Sequence, residues 1–313
     1  ISMANLSNIA ANNNGGNGIS LNQSSEYASI GILGLPQGLD GMLSNLLGLP
    51  DELTPVFSAT GPITASGNEG TGIRALVSAD EYLSVGAFFD VTANNNGEDG
   101  LHALVHNEEG IAIGLAASSQ NLSEIFQLGS DVMDILGFDY PLPALPGGGH
   151  MQLNNNGETG LNIFTMADHA AISAVIGAET SQNGNMGSIL YSLGDSFAIS
   201  AAARIQALDN ENLGLGLVSQ GDDLALNLVA DVNASNNGGP GIGSVAMSDG
   251  TALFLSLSTD ALRPLASILG EEITGTPYDL PGQTFGPVIA NNNGSEGIQA
   301  LVYGNNLAGA LFL

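Results

Sequence analysis

The sequence contains no cysteine, no tryptophan and no lysine, and apart from four histidines its basic side chains are three arginines. Without cysteine, neither a disulfide framework nor a thiolate site can form. Because 31 acidic residues face only three arginines, the formal net charge is -28. Nucleic-acid binding depends on lysine and arginine displacing counterions from phosphates, so this composition excludes a nucleic-acid partner. It also disfavours binding to anionic membrane surfaces.

Long apolar runs are missing as well. No stretch of about 18 consecutive apolar residues occurs, so we expect no transmembrane helix. Only 11% of the residues are charged and 43% are hydrophobic, so the chain is not a disordered acidic tail. Its 313 residues are enough to bury a substantial core.

The chain does have a short asparagine- and glycine-rich stretch that recurs eight times. The copies begin at Asn12, Ser66, Asn94, Asn154, Ser181, Asp209, Ser235 and Asn291. Successive starts differ by 26 to 28 residues or by 54 to 60, so the basic unit has about 27 residues. A fixed period of this size predicts a repeat architecture, in which each unit buries its apolar face on its neighbours.

Each copy is followed by two runs of alternating residues that a polar turn separates. One such unit has runs at 213–219 and 224–232 around Gln220-Gly221-Asp222. Period-two alternation predicts half-buried strands, and glycine–aspartate turns are typical of hairpins. We therefore predict an all-β array of two-strand units, an antiparallel hairpin meander closed as a barrel or a sandwich. The alternative is a β-solenoid with the asparagine-rich loops stacked at one corner. In a stack, the asparagine amides would bond along a ladder.

Three units carry an extra segment, at about 36–62, 119–150 and 259–287, within a single repetitive domain of residues 1–313. Each segment is typical of a short helix followed by a proline-rich return, with the helices at 38–48, 123–136 and 260–269. The apolar residues of these helices need cover. They would either close the open face of the sheet or bind another subunit.

The sequence shows no catalytic constellation. It has no G-x-S-x-G motif, and its paired carboxylates lie in turns, so we predict a protein that is not an enzyme and needs no cofactor. Calcium is the one metal hypothesis, because Asn94, Asn96, Glu98 and Asp99 offer the oxygen ligands that calcium prefers. A polar turn without a metal explains the same four residues.

Sequons for N-glycosylation occur at five asparagines. They are Asn5, Asn22, Asn121, Asn233 and Asn293. Such sites carry glycans only on surface loops of secreted proteins, so glycans are expected partners only if the chain is secreted and its source glycosylates.

The repeat is interrupted inside a unit at both ends of the sequence, which leads to a functional hypothesis. Open strand edges accept further strands, so the two ends would complement another copy of the chain. The residues expected in that contact are Leu6, Ile9, Leu307, Leu311 and Leu313. The hypothesis is a secreted, non-enzymatic structural protein that assembles head to tail into an extracellular filament or cell-surface layer. Two alternatives are a 16-stranded outer-membrane β-barrel pore and a calcium-dependent adhesin or binding module.

Overall fold

The computed structural model describes residues 1–37, 39, 59–122, 149–258 and 286–312. Within these ranges the chain is mainly β-strand, and two sheets contain all 22 named strands. Sheet A has nine main strands: β1 (Ser2–Leu6), β4 (Ala28–Leu33), β7 (Leu83–Phe89), β10 (Ile111–Ala117), β13 (Ala170–Ile176), β16 (Phe197–Gln206), β18 (Leu224–Asn233), β20 (Thr251–Leu257) and β22 (Leu307–Phe312). Five two-residue strands extend the same sheet: β2 (Ile9–Ala10), β5 (Ile63–Thr64), β8 (Val91–Thr92), β11 (Met151–Gln152) and β14 (Ala178–Glu179). Sheet B has eight strands: β3 (Ile19–Ser25), β6 (Ile73–Ala79), β9 (Leu101–Asn107), β12 (Leu161–Ala167), β15 (Ser188–Gly194), β17 (Leu215–Gln220), β19 (Ile242–Ser248) and β21 (Ile298–Gly304).

The chain winds through these sheets as a stack of coils. A coil runs along sheet B, turns into sheet A, bends at a corner into a short strand, and reaches the next coil through an asparagine-rich loop. Every pairing between described strands is parallel and joins successive coils; Leu161, for example, lies between Leu101 and Ser188. The chain is therefore a β-sheet repeat protein with the architecture of a β-solenoid.

The predicted antiparallel hairpin meander, closed as a barrel or a sandwich, is wrong. Each polar turn carries the chain from sheet B to sheet A instead of folding it back along its own strand. The backbone N–H groups of Glu108 and Glu109 accordingly donate to the carbonyls of Ala79 and Asp80 in the preceding coil, at 3.1 and 2.8 Å. Glycine and aspartate suit both kinds of turn, so their presence does not distinguish a hairpin from an arch between two sheets.

A second bend lies within residues 82–92, where the alternating pattern of the sequence predicts one long strand. Asp90 has a φ of 49°, in the left-handed region, and separates β7 from β8. Phe88 before the bend and Val91 after it both point inward with no exposed surface. In the other coils without an inserted segment, Asn8, Gly177, Arg204 and Asp231 occupy this corner, all with positive φ.

Between the sheets lies one long hydrophobic core. Sheet B fills it with large side chains such as Leu101, Leu161 and Ile163, all with no exposed surface. Sheet A faces it with smaller residues, and a Cβ added at Gly114 would lie 2.5 Å from Cγ2 of Ile163. The glycines of sheet A therefore make room for the large residues of sheet B.

A second hydrophobic cluster lies outside the coils, on the outer face of sheet A. It joins outward-pointing Ile30, Ile32 and Phe89 to Leu35, Leu39 and Leu122 from the margins of the first two inserted segments. These segments, and the third, leave the stack at the corner after a main strand of sheet A. The predicted helices 38–48, 123–136 and 260–269 fall outside the described residues, Leu39 excepted. The described residues contain no helix that is long and apolar enough to cross a membrane.

Candidate functional sites

Each asparagine-rich loop has one asparagine whose amide, except in the last loop, bonds to its counterpart in the next coil. It is the third residue of the loop, or the second in the copy that begins at Asp209. Nδ2 of Asn96 donates to Oδ1 of Asn156 at 3.0 Å, and Nδ2 of Asn156 donates to Oδ1 of Asn183 at 3.1 Å. The members are Asn14, Asn68, Asn96, Asn156, Asn183, Asn210, Asn237 and Asn293. The expected amide ladder is confirmed, and it keeps successive coils in one register.

The first two residues of the loop have structural roles that differ from that of the ladder asparagine. Oδ1 of Asn94 accepts a hydrogen bond from the backbone N–H of Asn154 at 2.7 Å. Asn95 adopts a φ of 58°, which asparagine tolerates better than most residues. The run of three asparagines thus combines a backbone acceptor, a left-handed bend and a rung of the ladder.

The four calcium candidates lie in this loop, and their oxygens have protein donors. Oδ1 of Asn94 accepts the bond described above, Oδ1 of Asn96 accepts from Nδ2 of Asn68 at 2.9 Å, and Oε2 of Glu98 accepts from the hydroxyl of Thr71 at 3.0 Å. Oδ1 of Asp99 accepts from the backbone N–H of Thr159 at 2.9 Å. Among the described residues, no group of three or more histidine and acidic side chains is arranged to hold a metal. Calcium binding stays a prediction.

The other oxygen of Asp99 pairs with a histidine. Oδ2 of Asp99 lies 2.9 Å from Nδ1 of His102, whose side chain is 41% exposed. The pair borders an open hollow of about 450 Å³ that Arg74, Glu158 and Tyr191 also line. Nδ1 of His102 also lies 3.4 Å from the amide of Asn162, and within the described ranges His102 has no hydrogen bond to a hydroxyl. The pair therefore lacks the nucleophile that an acid–histidine dyad would activate.

The predicted assembly residues lie at the two ends of the stack. Leu6 and Ile9 pack partly buried against the main core at the first coil, whereas Leu307 and Leu311 are 55% and 48% exposed at the last. The prediction for Leu313 falls outside the described residues.

Strand pairing leaves both ends open. Among the described strands, β1 pairs only with β4, and β22 pairs only with β20. By register, Leu311 is on the outer face of sheet A and Phe312 is next to inward-facing Ser256. Strand alternation within 307–312 is the signal that distinguishes these two positions, and Phe312 was missed.

The corner of the stack shows a pattern that the sequence interpretation missed. Asp90 lies beneath the second inserted segment, and its Oδ1 accepts from the backbone N–H of Ser119 at 2.7 Å where that segment begins. At the segment's other end, a Cβ on Gly149 would collide with the Asp90 carboxylate. Burial raises the pKa of Asp90, while its hydrogen bonds from Ser119 and the nearby His150 oppose that rise.

The same arrangement recurs at the other two inserted segments. A Cβ on Gly61 would lie 3.2 Å from Cβ of Asn8, and one on Gly286 would lie 2.5 Å from Oδ1 of Asp231. Where the following coil has no inserted segment, Gly177 or Arg204 occupies the corner instead. An asparagine or aspartate at the corner thus marks the coil that precedes each insertion.

A polar groove of about 620 Å³ runs over the short strands between the margins of the second and third inserted segments. Its floor is a row of side chains one coil apart, namely Gln152, Glu179, Gln206 and Asn233. Nη1 of Arg204 donates to Oδ1 of Asn121 at 3.1 Å, and Nε of Arg204 lies 4.0 Å from Oδ2 of Asp231. An arginine inside an apolar strand was the available signal for this groove.

The sequon asparagines occupy different environments. Asn121 and Asn233 line the groove, and Asn293 is the last rung of the ladder. Asn5 lies on β1, where Nδ2 donates to the carbonyl of Ala59, and Asn22 is exposed on β3. Glycosylation at all five positions stays a prediction.

Comparison with known proteins finds no match: no protein-family model, curated protein or solved structure is significantly similar to this chain.

Proposed function

We propose that this chain is a non-enzymatic structural protein whose coils stack head to tail, copy upon copy, in an extracellular filament or cell-surface layer. The observation that carries the proposal is the direction of the asparagine ladder. A lysine-free, acidic chain suits a durable, exposed location, which is the reason for proposing that it works outside the cell.

The ladder has two unlike ends. The backbone N–H and Nδ2 of Asn14 donate to Oδ1 of Asn68 at 3.0 and 2.9 Å, while Oδ1 of Asn14 accepts no hydrogen bond from the described residues. At the other end, Nδ2 of Asn293 donates to the carbonyl of Ala234 at 3.1 Å and reaches no further asparagine. An acceptor end matches a donor end, so contact between copies is head to tail, and such an interface builds an open filament unless its rotation closes a ring.

Continuing the ladder from one copy to the next has a consequence for the end strands. If Asn14 of one copy follows Asn293 of another, β3 continues sheet B directly beyond β21. Strand β1 then falls at the height in sheet A that β22 already occupies. The inward side chains of the two strands are alike, with Ala4 and Leu6 in β1 matching Ala310 and Phe312 in β22. One of these strands has to leave before two copies join.

Removal of residues 307–313 tests the proposal. The shortened chain has the position for β1 free, so it should form filaments of regular width in negative-stain electron microscopy and sediment as large species at lower concentrations than the full chain. Leu6→Asp in the shortened chain places a charge in the joint and should abolish assembly. Gln220→Glu, at an exposed position of β17 away from both ends of the stack, serves as the control and should leave assembly unchanged. If both the full and the shortened chain stay monomeric at high concentration, the proposal is wrong.

A further inference from the structure

The outer face of sheet A is apolar from β4 to β22. Strand alternation and register place one set of side chains outward from β4 to β22. On the four strands that carry the argument these are Ala170, Ile172, Ala174 and Ile176; Phe197, Ile199, Ala201 and Ala203; Leu224, Leu226, Leu228 and Ala230; and Thr251, Leu253, Leu255 and Leu257. The set contains one hydroxyl, at Thr251, and no charged side chain.

The side of sheet A that faces the core has the smaller and more polar residues. Ser173, Ser200 and Asn227 point inward with no exposed surface, and their side chains hydrogen-bond within the coil stack. A strand that faced water on its outer side would carry polar residues there and apolar ones inside. Although Leu33, Phe88 and Phe254 point inward, most of the large apolar side chains of sheet A point outward, so its outer face is built to be covered.

Part of this face is covered by the chain itself. Leu35, Leu39 and Leu122 pack on the outward residues of the first coils. Farther along, the outward side chains of β16, β18 and β20 belong to none of the hydrophobic clusters that the described residues form. Phe197 and Leu307 are 46% and 55% exposed.

We propose that a second copy of the chain covers this part of sheet A, face against face, in a side-by-side pair. The outer face of β13, β16, β18, β20 and β22 measures roughly 23 by 24 Å from strand spacing and residue rise, so a pair buries roughly 1,000 Å². That area reaches the roughly 1,000 Å² that a biological interface has to bury and lies below the roughly 1,200–2,000 Å² of stable ones, so we expect a weak pair. The margins of the first two inserted segments show that the adjoining part of the same face already accepts leucine side chains.

Two identical copies suit this face because both are apolar sheets with the same strand spacing. Two such sheets pack with their side chains interdigitated, about 10 Å apart. The acidic residues of the described coils lie mostly in turns and loops at the borders of the sheets, as Asp195, Asp222 and Asp223 do, and not within the face. Since each copy carries a formal charge of -28, pairing should strengthen as salt screens the repulsion between the borders.

This contact is independent of head-to-tail stacking, because it uses the flank of the coils and not their ends. Leu226 lies in the middle of the proposed interface, and Val218 of the same coil points outward from sheet B, so the two positions form a matched pair. The test measures the dimer dissociation constant of the full chain by sedimentation equilibrium at low and high NaCl. We expect a wild-type dimer that tightens with salt, at least tenfold weaker association for Leu226→Glu, and less than a twofold change for Val218→Glu.

Cysteine substitutions keep the test decisive if Leu226→Glu does not fold. The sequence has no cysteine, so Leu226→Cys introduces a single thiol near the symmetry axis of the pair. It should form a disulfide-linked dimer on mild oxidation, whereas Val218→Cys should not. Monomeric wild-type protein at every salt concentration would overturn the proposal. So would a wild-type monomer that dimerises only after residues 259–285 are deleted, since the chain itself would then cover the face. Leu6→Asp, which blocks the ends, should leave the side-by-side dimer intact.

Discussion

Sheets A and B enclose the same core, yet they place most of their large apolar side chains on opposite sides: sheet B on the side that faces the core, sheet A on the side that faces away from it. Sheet B sends Ile73, Leu101 and Leu161 inward, and its outer face is mixed, with one apolar column between polar ones. Sheet A contributes glycine, alanine and serine at many of its inward positions and, apart from residues such as Phe88 and Phe254, keeps its larger apolar residues outside. A core of fixed width has room for one set of large residues, because protein interiors are close-packed.

The difference shows that sheet A belongs to two cores. Its inner side completes the core of the coils, and its outer side forms a second one with Leu35, Leu39 and Leu122. A sheet with large apolar side chains on its outer face and mostly small side chains on its inner face therefore indicates that other elements cover the outer face. Sheet B, with one core only, follows the usual alternation of a half-buried strand.

The asparagine ladder keeps successive coils of both sheets in one register, so breaking the ladder should have the largest effect on stability. Asn156→Ala leaves the backbone N–H and Nδ2 of buried Asn96 without their acceptor. Two orphaned buried donors should lower the free energy of unfolding by about 3 kcal/mol, measured by urea denaturation. Asn14→Ala removes the exposed end of the same ladder and should cost well under 1 kcal/mol. Equal losses would show that the ladder does not hold the register.

A valine at an inward glycine of sheet A tests which sheet fills the core. Gly114→Val places new atoms against Ile163 and Thr165 of sheet B and should destabilise the fold by about 2 kcal/mol, since overpacking forces neighbours to move. Gly309→Val is the matched change on the outer face, where the nearest atom is Cδ2 of Leu253 at 3.7 Å from the new Cβ. Thermal unfolding of both variants should show a loss for the first and almost none for the second. A loss in both would contradict the assignment of inner and outer faces.

The smallest effect concerns Asp90, at the corner where sheet A ends. Because burial raises its pKa in the folded chain, Asp90 stabilises the fold when protonated, and this contribution is lost as pH rises through the folded-state pKa. Asp90→Asn should therefore be more stable than the wild type at neutral pH. The difference should disappear as the pH falls below the pKa of an unfolded aspartate, about 3.9. Parallel urea titrations of the two proteins across this range would show it, and a difference that is constant with pH would disprove it.

Several parts of the fold followed from the sequence alone. The spacing of Asn96, Asn156 and their counterparts was enough to predict the period of about 27 residues and the amide ladder. The alternation after each loop predicted the two strands of each unit. The sequence also indicates where the three inserted segments lie, because they lengthen the period without altering the loop motif; their bounds stay a prediction. What these features share is local sequence information.

Strand direction could not be read in the same way. A turn such as 220–222 permits a hairpin or an arch, and the choice depends on which strand the next coil offers as a partner. The left-handed corner at Asp90 and at Arg204 was equally hidden, since each interrupts an apolar run by a single residue. The residues at the C-terminal end were only partly predicted. Leu307 and Leu311 were expected in the contact between copies, while inward-facing Phe312 was missed.

At each inserted segment, a corner asparagine or aspartate contacts the glycine at which the segment rejoins the coils. These contacts fix the distances between the three segments along the stack. Gly61, Gly149 and Gly286 return to the coils at points two and four coils apart, so about 10 and 19 Å separate them along the axis at the usual strand spacing. The spacing of these anchor points is set by the coils and is independent of what each segment contains. An aspartate in place of Gly177 or Arg204 would create a further anchor point, so that a foreign segment inserted in the following coil would be displayed at a chosen position along the axis.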